Sequence, residues 1–223
     1  MEEWPMRSLH IADIHALLVH NEEKPTIKSP RHPLVVFCHL PFAVCILIAY
    51  LFTATTPGQT ILFLVTFGLY LSSAAYHAWR PNRFLRFVDQ TMISWFVLAT
   101  PVPFVYHNTD IMLLLGTLAT LSVLNKWYQW EPSFEVGSVV FLCLGGISTF
   151  LMLTVGLPNI GADLLSFEAA CVYAAIIFFI IMLVIYHYEI GLIRNVFDTP
   201  ECKHFALSIG VVIFLYLAAT CPV

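Results

Sequence analysis

Charge is what this sequence has least of. Lys, Arg, Asp and Glu make up 11% of its 223 residues, against 59% hydrophobic residues and a mean hydropathy of +0.83. A soluble domain covers its surface with about a quarter charged residues, so that class is excluded. The ten basic residues are scattered and form no stripe, which argues against a nucleic-acid partner. The six cysteines lack the paired spacing of a metal ribbon or a disulfide framework. Cys38, Cys45, Cys143 and Cys171 fall inside apolar runs, Cys202 stands at a helix start and Cys221 near the C-terminus, and most of the six are expected to be small core residues. Residues 1–33 contain no apolar run ahead of a small-residue cleavage site and do not read as a signal peptide.

What is there is a succession of apolar segments, at about 34–53, 59–79, 85–106, 110–124, 136–155, 167–187 and 203–221. Each is near the ~20 residues that cross a hydrocarbon core, and the fourth is the shortest. Turn or interface residues stand at every boundary: Thr-Pro-Gly at 56–58, Arg-Pro-Asn at 80–82, His-Asn-Thr at 107–109, Trp127, Tyr128 and Trp130 before Pro132, Gly-Leu-Pro at 156–158, and Asp-Thr-Pro at 198–200. The expected fold is an all-α polytopic protein of the cell membrane, a seven-transmembrane helix bundle over 34–223, with membrane lipid as its surroundings. Residues 1–33 read as a short amphipathic interfacial helix, then a linker around Pro25, Pro30 and Pro33. His10, His15 and His20 step by five and drift around such a helix, which is poor spacing for a metal site.

Basic residues set the orientation. Arg7, Lys24, Lys28 and Arg31 precede the first segment; Arg80, Arg83 and Arg86 surround the second turn; Lys126 follows the fourth segment; Arg194 and Lys203 lie between the sixth and seventh. With seven spans all ten fall on one side, which the positive-inside rule makes cytoplasmic, N-terminus included.

That topology gathers the polar residues at one end. Ser73 and His77 are four apart and share a helix face, and the Pro81-Asn82 turn brings Asp89 back on the next helix. His77, Asp89, His187 and His204 all come to helix ends in the cytoplasmic leaflet. Ionisable groups inside a membrane are costly, and the default reading of one is functional. Neutral imidazoles with a carboxylate suit Zn²⁺, which activates water for attack on an amide or ester carbonyl. Asp89 is then a general base or an orienting group, and Ser73 a hydrogen-bonding partner of the water or the oxyanion. The structural alternative stays open at this stage: His187, flanked by Tyr186 and Tyr188, suits an interfacial anchor, and Asp89 suits an ion pair with Arg83 or Arg86.

Ser73-x-x-x-His77, the basic turn, Leu85-Arg86-Phe87-Val88-Asp89 and Ala99-Thr100-Pro101-Val102-Pro103-Phe104 resemble the second and third helices of the hemolysin III proteins, relatives of the progestin and adiponectin receptors and, more distantly, of the alkaline ceramidases. The resemblance takes in His39 on the first helix and covers roughly 32–221. It implies one zinc held by His77 and His204, with Ser73 and Asp89 close to the reacting water, and a lipid as the substrate. The family's seventh helix carries two histidines four apart. Here Pro200 occupies the first of those positions, and Gln90 follows Asp89 where many relatives have His. Completion of the site then falls to Asp89, to His187, or to Cys202 if 200–203 is irregular. A non-catalytic membrane sensor or interaction protein of the same fold is the rival expectation. No ring of like charges or polar row marks a pore.

Overall fold

The computed structural model describes residues 33–53, 56–78, 83–128, 134–187 and 199–221. The expectations for residues 1–32 lie outside that set. The described residues are helical, with no strand among them. Among the described residues there are seven long helices: α1 (Pro33–Thr53), α2 (Pro57–Ala78), α3 (Arg83–Ala99), α4 (Thr109–Tyr128), α5 (Phe134–Leu151), α6 (Phe167–His187) and α7 (Thr199–Thr220). Four stretches, Leu34–Thr53, Pro57–Ala78, Leu142–Asn159 and Phe167–Ile185, are long and apolar enough to cross a membrane, and His204–Thr220 is a shorter apolar one.

Local chemistry explains the boundaries. Thr56 and Gln59 form a reciprocal capping box at the start of α2: the Thr56 N–H donates to Gln59 Oε1 at 3.0 Å and the Gln59 N–H donates to Thr56 Oγ1 at 3.2 Å. The expected helix at 85–106 is broken. Pro101 and Pro103 each lack a backbone donor, so α3 stops at Ala99 and a short turn, Val102–Val105, follows. Asn108 then starts α4, its Oδ1 accepting the Ile111 N–H at 3.1 Å. α4 runs on to Tyr128, longer than its apolar run of 110–124, because Asn125 to Tyr128 continue the helix past the apolar residues. α5 widens into a π-helical turn over Met152–Gly156 and ends in Leu157–Asn159, after which Gly161 takes φ 71°, a conformation glycine adopts without strain.

Cross-helix contacts fix directions. Between α1 and α2, ring pairs join Phe42 to Tyr70 at 4.6 Å and Tyr50 to Phe63 at 6.4 Å. Between α2 and α7, hydrogen bonds join His77 to His204, Tyr70 to Ser208 and Gln59 to Ala218. Residue numbers rise on one helix as they fall on the other in both sets. α2 is therefore antiparallel to both neighbours, and α1 runs parallel to α7. The N-terminal ends of α1 and α7 share one end of the bundle with the C-terminal end of α2.

The cysteine expectation is corrected. Cys38, Cys45 and Cys143 are exposed on the outer surface, and Cys171 and Cys221 are only half-buried. Outward residues such as Phe37, Leu51, Phe52, Leu113 and Ile177 are equally apolar. When the outside of a bundle is as greasy as its core, a hydrophobic run says that a cysteine is embedded but not which way it faces.

Candidate functional site

Three helix faces converge on the histidine end. On α2, Thr66, Tyr70, Ser73 and His77 are buried and spaced by three or four; on α1, Val36, His39, Ala43 and Ile46 repeat the pattern; on α7, His204, Leu207, Val211, Phe214 and Ala218 do the same. The imidazoles stand at the last or first turns of these stripes, and only 3% of His39, 4% of His77 and 8% of His204 is accessible.

The three rings form a row. His39 Nε2 lies 3.1 Å from His204 Nδ1, and His204 Nε2 lies 3.0 Å from His77 Nε2. Both pairs meet edge to face, at 81° and 88°. Each gap holds one hydrogen bond, so the central ring is bonded through both nitrogens. Tyr70 braces the row: its ring packs 4.9 Å from that of His39, its hydroxyl donates to Ser208 Oγ at 2.8 Å, and Ser208 Oγ donates to the His204 carbonyl at 2.8 Å. The ring of Tyr76, the preceding residue, lies 5.1 Å from that of His77.

Ser73 and Asp89 are both buried nearby, at 2% and 6% exposure. Ser73 Oγ has no hydrogen-bond partner among the described residues, in a setting where an unmet hydroxyl is costly. A Cβ on Gly68 would fall 2.6 Å from Met92 Cε, which marks where α2 and α3 touch. Counting 1.5 Å per residue from that contact puts Asp89 about half a turn from the level of Ser73 and about two turns from His77. Side chains of α3 tilt toward its N-terminus, hence toward the histidine end. The next residue, Gln90, accepts from Lys126 Nζ on α4 at 3.3 Å.

The sequence named Ser73, His77, Asp89 and His204, and all four are buried, with His77 and His204 in direct contact. The side chains of His187 and Cys202 lie outside the described residues. The route through an irregular 200–203 segment is corrected: α7 is already helical from Thr199, Pro200 being tolerated in a first turn where its missing N–H has no role. His39 is the residue that sequence reasoning did not assign to the site. Its signal was its place in the 36-39-43-46 stripe, where a polar residue on a buried face demands a polar partner.

Two of the rings face each other at a spacing close to that of zinc ligands. Two nitrogens on a tetrahedral zinc with bonds of ~2.0–2.1 Å stand ~3.3–3.4 Å apart, and the His77 and His204 Nε2 atoms are 3.0 Å apart. His39 meets the other nitrogen of His204, so the three rings do not point at one centre, and no group of three His, Cys, Asp or Glu side chains among the described residues forms a cage. An open groove on α4, lined by Leu113, Gly116, Thr117, Thr120 and Leu121, includes none of these residues. Comparison of the chain with protein-family models, curated proteins and solved structures found no match.

Proposed function

We propose that this chain is a seven-span membrane protein of hemolysin III type that holds zinc between His77 and His204 and hydrolyses an amide or ester bond of a membrane lipid. The observation that carries the reading is the meeting of buried imidazoles from three separate helices at one end of an apolar bundle. Groups so costly to embed persist where they bind or react. The topology is supported by the parallel course of α1 and α7, which an odd number of crossings requires, and by the ten basic residues that seven spans collect on one side.

Bound zinc supplies a Lewis acid that polarises a carbonyl and lowers the pKa of water toward neutrality. The chain supplies the rest. His77 and His204 bind through Nε2, Ser73 offers a hydroxyl to a developing oxyanion, and Asp89 accepts a proton in a site from which the packed helices exclude bulk water. A lipid reaches such a site laterally, with its acyl chain lying between helices.

Fatty-acid release from ceramide and from acyl-ester lipids in mixed micelles tests the activity. Release that stops with chelator and in His77→Ala is expected. A second reading, a non-catalytic sensor or interaction protein, is favoured by one observation: the three rings already bond one another in a hydrogen-bonded row. Absence of any release sensitive to His77→Ala across both lipid classes sinks the hydrolase reading in its favour.

A further inference from the structure

Resting on the reading of His77 and His204 as a metal pair, we propose that His39 is a positioning residue that fixes the tautomer and the angle of His204. A neutral imidazole carries one N–H. For His204 to offer the Nε2 lone pair toward the gap it shares with His77, its proton must sit on Nδ1. The atom waiting at Nδ1 is His39 Nε2, 3.1 Å away, within hydrogen-bond distance. His39 must then keep its own proton on Nδ1. With the ion bound, this one bond couples the tautomers of the two rings.

The placement argues against His39 as a ligand. It approaches His204 from the edge opposite the one that faces His77, so a single ion in the His77–His204 gap is screened from it by the His204 ring. It is also braced for a fixed role: Tyr70 packs at a tilt against its ring at 4.9 Å and reaches the His204 carbonyl through Ser208. In most metal sites the group that receives a ligating histidine's second N–H is a carboxylate, a carbonyl or a water. Here it is a neutral imidazole, which adds no negative charge and leaves more of the ion's positive charge to act on substrate.

The test measures zinc affinity and cobalt absorption on the full chain in detergent, for the native protein, His39→Leu, His39→Ala, His39→Gln and His77→Ala. The Leu variant keeps the volume without an acceptor, and the Gln variant keeps an acceptor oxygen. We expect His39→Leu and His39→Ala to weaken zinc binding about 10–100-fold while one metal still binds at saturation and the cobalt band positions stay unchanged. His39→Gln should recover most of the affinity. Unchanged affinity in His39→Leu overturns the proposal. So does a cobalt spectrum altered as strongly as that of His77→Ala, which would make His39 a ligand. A native chain that takes up neither metal overturns the metal reading itself, an outcome distinct from either of those. Should His39→Ala fail to fold, the contrast between Leu and Gln carries the same decision.

Discussion

The two ends of this bundle are tied in different ways. At the end away from the histidines, backbones touch. A Cβ on Gly58 would lie 2.9 Å from Pro103 Cα, and one on Gly156 would lie 3.3 Å from Phe104 Cβ. The hydrogen bonds that cross between segments there include side-chain amides donating to carbonyls: Gln59 to Ala218 at 2.7 Å, which caps the last turn of α7, and Asn159 to Phe104 at 2.7 Å. Every such group is spent on holding the chain. At the other end the ties run between titratable rings, each able to donate or accept, with a buried serine hydroxyl beside them that no described residue engages. Fixed ties suit a clamp and interchangeable ones suit chemistry, so substitutions at the two ends should separate stability from binding.

The largest expected effect is at the histidine end. His77→Ala should abolish zinc binding while moving the thermal midpoint little, and His187→Ala should affect zinc far less; equal losses would make His187 a ligand. Gly58→Val should do the opposite. It forces two backbones apart and costs about 1–3 kcal/mol, seen as a lowered thermal midpoint with zinc affinity per folded chain intact. Gln59→Leu leaves the Ala218 carbonyl without its donor in an apolar setting and should cost about 1–3 kcal/mol by the same measurement. Pro200→His places an imidazole position one turn before His204 and should tighten zinc binding; no change would mean that residue 200 does not reach the gap. The smallest effect belongs to the outward cysteines: Cys38→Ser, Cys45→Ser and Cys143→Ser should each stay within about ±0.5 kcal/mol, as outer-surface substitutions do.

Much of this contrast was legible in the sequence, and the failures have physical causes. Apolar runs located the long helices because each must satisfy its own backbone. The spacing of Ser73 and His77 placed both on one buried face of α2. Pro101 and Pro103 were visible, yet the apolar character of 85–106 concealed the break they cause. The π-helical turn at Met152–Gly156 has no spacing signature, since it depends on one residue more per turn and on packing against the Val102–Val105 segment. His39 escaped for a different reason. The stripe on α1 marks it as buried, but its partner is 165 residues away and is fixed only when α1 and α7 come to lie side by side.

Cysteine labelling checks the frame in which both ends are placed. Cys221 should react with an impermeant reagent from outside the cell and Cys202 only from inside; the reverse pattern would contradict the argument from basic residues.

The most direct test of the central claim is zinc per chain in protein purified in mild detergent without chelator, native beside His77→Ala. The account expects close to one zinc in the native chain and none in the variant. No metal in either, from protein that remains folded, would contradict it and leave the imidazole row as a hydrogen-bonded structural cluster.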